Sequence, residues 1–283
     1  MSRVDWEIAW VMMAVGAASS VPGVFLVLRR MAMTTDAIGH TLILGIVVAY
    51  AIVRDLSSPW LAVGASAASV LTVYLIDALL RMPNIKQDAA IGLVFPALFA
   101  LGTILASMQF RQVHLDVDAV LLGQVENSWL SRFSLSPAIS VPRSFAIMVG
   151  FALLNGLFVS VFYKELKLST FDTGLALTLG FVPALLNFLL ISLVSLTAVA
   201  AFDAVGPILV VSFFVAPAAT AMLISHRLWK VILLTVAIAV GVALSGTMLA
   251  CRMNTNVAGT VATLLGVTYA VVSIAIRIFR VRH

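Results

Sequence analysis

Asp36 and His40 stand four residues apart in Thr34-Thr35-Asp36-Ala37-Ile38-Gly39-His40, where an apolar stretch begins. Four residues is about one helical turn, so on a helix the carboxylate and the imidazole share a face, with Cβ atoms roughly 5 to 6 Å apart. The pair offers one oxygen and one nitrogen donor, suited to Mn²⁺, Fe²⁺ or Zn²⁺ and poor for Cu⁺, which prefers thiolate or thioether. An ionisable residue inside a membrane span costs about 2.5 to 3.5 kcal/mol on insertion scales and therefore tends to face a bundle interior or a watery path. On the residues alone two readings stand side by side. Either the pair lines a path, or Asp36 caps a helix while His40 packs against a neighbour.

Other residues offer weaker chemistry. His114, Asp116 and Asp118 could gather metal at an outer mouth, although a polar loop before an amphipathic segment has the same pattern. Asp203 is read as opening the seventh apolar segment, as its N-terminal cap or as part of an outer gate. Met31 and Met33 have the look of a copper pair, yet with 11 methionines in an apolar chain packing is the simpler role. Cys251 is the sole cysteine, so no intrachain disulfide forms and its expected role is packing. His226 and His283 are expected to be solvated.

Enzymatic motifs are absent. The sequence contains no Gly-Lys dipeptide, hence no phosphate-cradling Walker A loop, and no His-Glu-x-x-His helix. Leu244-Ser245-Gly246 lacks the leading glycine of an intramembrane serine protease turn, and Asp36, Asp77 and Asp203 have no acidic partner in the pattern. The chain is expected not to be an enzyme, and any ATP hydrolysis must come from another polypeptide.

The elements that position these residues are membrane helices. Of 283 residues 62% are hydrophobic and 10% charged, with mean hydropathy +1.14, far from the balance of a soluble domain. The expected class is all-α, a single polytopic membrane domain over residues 1–283. Apolar stretches long enough to span lie near residues 8–28, 37–53, 60–80, 89–107, 144–163, 178–200, 204–224, 229–250 and 256–276. The net charge of +5 resides in the short breaks between them, which reads as topology and argues against a nucleic-acid partner.

Alternate breaks differ in basic content. One set holds Arg29, Arg30, Arg81, Lys86, Lys164, Lys167, Arg227, Lys230, Arg277, Arg280 and Arg282, eleven of the 17 Lys and Arg, including every lysine. By the positive-inside rule that set is cytoplasmic, which puts the N-terminus outside and the C-terminus inside. The first segment is read as a retained helix and not as a cleaved leader, because Asp5 and Glu7 precede it and its basic pair follows it.

Two connections are long. Residues 108–143, on the expected outer side, run from a polar stretch at His114 into an apolar one at Gly123, as an interfacial or re-entrant segment or a partner surface would. Residues 164–180 are expected on the cytoplasmic side, where Ser169 or Thr170 could cap a short helix ending near Gly180. A protruding helical knob there would suit docking.

Across nearly the whole chain the motifs resemble the permease subunits of bacterial manganese, zinc and iron ABC importers, most of all the Tro/Mnt type. The resemblance is carried by Pro22 to Met33 followed by Asp36-Ala37-Ile38-Gly39-His40, by Lys86 to Phe95, by His114 to Gly123, and by Phe162 to Gly180. It continues through Ala201 to Val211 and Ala216 to Ala221. It implies a type II importer-like permease in the bacterial inner membrane, paired with a second permease copy or paralogue. It further implies a cytoplasmic ABC ATPase dimer below and an extracytoplasmic metal-binding protein above. The metal would be cargo, with no cofactor permanently bound. Asp36 and His40 match the pathway residues of the family pattern, with Gly39 in place of the usual serine and Thr34-Thr35 in place of a more apolar pair. Two such chains would supply two carboxylates and two imidazoles.

For the knob the resemblance implies a coupling helix with Phe171 as apolar anchor, Asp172 as N-terminal cap and Gly180 permitting close approach; Thr173 stands where the family often has proline. An ion-coupled secondary transporter is the alternative, but it would call for more intramembrane acids than the chain carries. A non-transporting membrane scaffold would need neither Asp36 nor His40. One geometric tension remains. With unbroken helices Arg29-Arg30 would hold the Asp–His pair low in the membrane, and Pro22-Gly23 and Gly39 are the expected break points that would lift it.

Overall fold

A computed structural model of the chain describes residues 3–55, 58, 60–109, 132–136 and 139–281. In order these form α1 (Arg3–Leu28), α2 (Met33–Val53), α3 (Trp60–Leu80), α4 (Gln87–Gln109), β1 (Arg132–Ser136), β2 (Ile139–Pro142), α5 (Arg143–Val161), α6 (Tyr163–Phe171), α7 (Thr173–Thr178), α8 (Pro183–Val205), α9 (Pro207–Ile224), α10 (Leu228–Met253) and α11 (Val257–Val281). Nine of these helices, all but α6 and α7, are long and apolar enough to cross a membrane. That is the expected all-α polytopic architecture. To it the structure adds one short antiparallel hairpin, in which Arg132 pairs with Pro142 and Ser134 with Ser140.

The sixth span is displaced from the expected 178–200 to Pro183–Val205. The apolar run starts earlier, but Gly180 breaks it and Pro183, with no N–H to lose, begins the helix.

Helix α1 is the centre of the bundle and packs against α5, α8, α9 and α10. Its buried residues, among them Met12, Val15 and Leu26, share one core with Ile191, Val194, Phe213 and Ala243. Asn155 of α5 crosses this core, its Nδ2 donating to the Ala18 carbonyl at 2.8 Å and to Thr197 Oγ1 at 3.1 Å. In an apolar bundle such a bridge satisfies an amide that would otherwise be costly to bury. Helices α2, α3 and α4 form a second group, joined to the first largely through α8.

The α2–α3 crossing depends on two glycines. A Cβ on Gly45 would run into the Gly64 carbonyl, and one on Gly64 would lie 2.6 Å from the Ala49 Cβ. Small residues at a crossing let two backbones meet. The α2–α4 crossing works likewise, since a Cβ on Gly102 would lie 2.9 Å from the Leu44 nitrogen.

Candidate functional site

The route to Asp36 begins at the end of α1. Arg30 takes the left-handed conformation, φ 61°, while Met31 N–H donates to the Leu26 carbonyl at 2.8 Å and Arg30 N–H to that of Val27 at 3.1 Å. These paired bonds make a Schellman motif, which ends α1 sharply and frees the chain to turn. Helix α2 then starts at Met33, and Ala32 at its N-cap supplies no side-chain bond. Asp36 lies in the first turn of the helix, not at its cap, so the capping reading does not hold. A carboxylate there is still favoured by the helix dipole. Thr34 and Thr35 are fully buried, and Thr35 Oγ1 donates to the Ala32 carbonyl at 2.6 Å.

Neither expected break occurs: α1 runs unbroken through Pro22-Gly23 and α2 through Gly39. The pair sits at the start of α2, yet level with the interior of α3 and α4. Thr72 donates to Thr41 at 2.8 Å from a point eight residues before the end of α3 at Leu80. His40 meets Phe95, eight residues after the start of α4 at Gln87. Eight residues of helix is about 12 Å. Arg29, one residue past the end of α1, is hydrogen-bonded to α6 and α8.

Asp36 Oδ1 and His40 Nε2 are 3.7 Å apart, with side chains 53% and 38% exposed. That separation is beyond a good hydrogen bond. It matches two donors about 2.1 Å from one shared ion at an angle near 120°. Among the described residues no cluster of three or more His, Cys, Asp or Glu could hold a metal, and Asp36 and His40 stand as a pair with partly exposed side chains.

His40 is held by rings that sequence reasoning missed. Its imidazole lies 5.2 Å from Phe95 at a 40° tilt and 5.6 Å from Phe99 edge-on. Residues 95 and 99 are one turn apart, the available signal. Gly39 faces the other way, where a Cβ would lie 3.2 Å from Phe202 Cζ and 3.5 Å from Pro207 Cβ. The α8–α9 turn thus abuts the helix backbone one residue before His40.

The expected knob is present as two short helices. Asp172 separates them, its Oδ1 accepting from Leu175 N–H at 2.9 Å, so Asp172 is the cap of α7 and the expectation for Ser169 or Thr170 is corrected. Both hydroxyls lie inside α6. Gly180 has φ 82°, with Phe181 N–H bonding the Ala176 carbonyl and Gly180 N–H that of Leu177. Its glycine is required by the left-handed backbone; a Cβ there would meet nothing within 4 Å. Phe171 is 64% exposed, with Leu175, Leu177 and Leu179 also outward, whereas Leu166 is fully buried with Phe25 and Leu190.

Arg29, read from sequence only as a topology marker, joins the knob to the bundle. Its Nε donates to Thr170 Oγ1 at 3.1 Å, Nη1 to Asn187 Oδ1 at 2.7 Å and Nη2 to Ser169 Oγ at 2.9 Å. Burial lowers its pKa to about 10, so it remains charged at neutral pH, held by three neutral acceptors.

The remaining candidates are scattered. His114, Asp116 and Asp118 lie outside the described residues, as does His283. Asp203 is an exposed residue in the last turn of α8. The cap of α9 is Gly206, without a side-chain bond, which overturns the capping expectation for Asp203. Met31 is buried as packing requires, while Met33 is exposed. His226 is exposed as expected.

Residues 6–277 match the model of the ABC 3 transport family. The chain is 43% identical over 270 residues to the zinc transport system membrane protein TroD of Treponema pallidum, covering 94% of this chain and 72% of that protein. It is 38% identical to the manganese transport system membrane protein MntD of Bacillus subtilis, covering 95% and 91%. The fold is similar to that of the solved PsaBC from Streptococcus pneumoniae in complex with Fab, with TM-score 0.76, 24% identity and coverage of 96% and 91%.

Proposed function

Because the chain belongs to the ABC 3 transport family, we propose that it is the permease subunit of an ATP-driven importer of a divalent transition metal, manganese, iron or zinc, with Asp36 and His40 as the passing ion's protein ligands. The observation that carries the ligand assignment is the 3.7 Å separation of Asp36 Oδ1 and His40 Nε2, with both side chains partly exposed. Two donors bind weakly enough to let go, which transport demands. Waters and the matching pair of a second permease, a copy or a paralogue, complete the shell.

The chain is a transport component, and ATP is hydrolysed by a partner ABC ATPase dimer at the α6–α7 knob. Phe171 and the outward leucines of α7 supply the apolar contact, while Asp172 and Gly180 fix the shape. The knob end, with Arg29 and Arg30, faces the cytoplasm of a bacterial inner membrane, following the basic asymmetry of the sequence. An extracytoplasmic binding protein delivers the ion at the opposite end, where His114, Asp116, Asp118 and Asp203 are collecting candidates.

The test is uptake of radioactive Mn²⁺, Fe²⁺ and Zn²⁺ by cells expressing the full transporter, intact or carrying Asp36→Ala or His40→Ala at matched expression. Loss of uptake in both, with the ATPase still bound, is the expected result. Retained uptake in both would move the ion path elsewhere.

A further inference from the structure

Arg29 joins the knob to the bundle four residues before α2 begins. Its three donor nitrogens reach two hydroxyls of α6 and the amide of Asn187 on α8. The fixed fork of a guanidinium suits three acceptors in set directions, which an ammonium could not satisfy together. On the inner face of α6, Leu166, Ser169 and Thr170 fall at three- and four-residue spacing. Leu166 packs into the core beside Phe25 of α1, so apolar and polar contacts grip the same end of α1.

The chain leaving Arg29 is stiff. The Schellman motif closes the turn through Met31, the unbroken α2 begins at Met33, and Asp36 lies in its first turn. Helix α8 holds this segment at two levels, through Asn187 against Arg29 and through Phe202 against Gly39. Fifteen residues of helix separate those contacts on α8, a rise of about 22 Å. A displacement of α6 therefore reaches α2 through the Arg29 bonds, the Leu166 packing on α1 and a short turn closed by hydrogen bonds.

We propose that Arg29 is the positioning residue that transmits movement of the α6–α7 knob to the Asp36–His40 pair. This rests on the reading of the knob as the ATPase dock and of the pair as the ion's ligands. Arg29 itself touches neither ion nor ATPase; it acts by making the knob and the start of α2 move as one body.

The experiment uses the full transporter in proteoliposomes, measuring ⁵⁴Mn uptake and ATP hydrolysis on the same preparation. Arg29→Gln is expected to keep the ATPase bound and hydrolysing while uptake per ATP falls about tenfold or more, in the range of typical coupling energies. Arg29→Lys should recover part of that ratio. A mere packing role would lower both activities together, and that outcome, or an unchanged ratio, overturns the proposal. Should Arg29→Gln fail to fold, the double variant Ser169→Ala/Thr170→Ala, which keeps the arginine, decides by the same ratio.

A readout independent of transport is the distance between spin labels at Met33→Cys and Leu177→Cys, both exposed sites, in a Cys251→Ala background. The distribution should broaden in Arg29→Gln, and an unchanged one counts against the link. Phe171→Asp and Asp36→Ala run alongside. If they leave uptake intact, the dock and ligand readings fail, whereas failure of the Arg29 link alone leaves both variants inactive in uptake and the ratio in Arg29→Gln normal.

Discussion

The His40 imidazole rests on the ring of Phe95, centroids 5.2 Å apart and planes tilted by 40°. A metal-binding imidazole must present one nitrogen along a fixed line, and a neighbour that restricts its rotamers reduces the entropy lost on binding.

On the ligand role proposed for His40, removing that neighbour should weaken ion capture while leaving the imidazole in place. An aromatic contact is worth about 0.5 to 1.5 kcal/mol beyond its buried area, so Phe95→Ala should raise the manganese concentration for half-maximal uptake by about two- to tenfold. Phe95→Tyr should stay near the intact value. An unchanged concentration dependence in Phe95→Ala would mean that Phe99 or the α2 backbone already fixes the ring.

Phe171 projects 64% exposed from the end of α6, beside a cap that requires Asp172 to stay as it is. Phe171→Asp replaces an apolar contact with a charge that would have to be desolvated against the ATPase. Uptake should collapse while the permease still folds and reaches the membrane. Phe171→Leu should keep most activity. Normal uptake with Phe171→Asp would remove the docking assignment.

The nine spans could be read because an apolar run of about 20 residues has few alternatives in a chain this hydrophobic. The knob was legible for a local reason, because Gly180 is a stop signal that acts within its own turn; its cap was not, since the residues alone pointed to Ser169 or Thr170 and only the family resemblance to Asp172. The rest depended on contacts between distant parts of the chain. Arg29 carries the same charge in a loop as in a buried socket, and only packing against Ser169, Thr170 and Asn187 distinguishes them. The level of Asp36 and His40 against α3 and α4 was not legible for a similar reason, since it follows from the contacts of Thr41 with Thr72 and of His40 with Phe95. The hairpin did leave a trace, the alternation of Arg132-Phe133-Ser134-Leu135-Ser136, but a period of two over five residues is a faint signal among long apolar runs.

The α2–α3 crossing should tolerate almost no added volume. Gly64→Val forces atoms onto the Gly45 carbonyl and the Ala49 methyl, and overpacking of this kind costs about 1 to 3 kcal/mol. The purified variant should melt well below the intact chain, while Gly92→Ala, whose new methyl meets nothing within 4 Å, should melt with it. Equal melting of Gly64→Val and Gly92→Ala would contradict the close crossing.

Gly39 separates geometry from ligation at the site itself. A Cβ there comes within 3.2 Å of the Phe202 ring edge, a gap that the ring can widen by a few tenths of an ångström. Gly39→Ser is therefore expected to fold and to transport, because its small side chain adds no strong metal donor and leaves Asp36 and His40 one turn apart. Gly39→Val adds two methyls on the same side and must displace Phe202 and Pro207, hence the α8–α9 turn. Its uptake should fall several-fold with both ligands intact, and the loss should appear in maximal rate more than in half-saturation. If Gly39→Ser alone abolished uptake, the α8–α9 turn would have to be held at its present distance for transport; if Gly39→Val transported normally, that turn would have no part in the path.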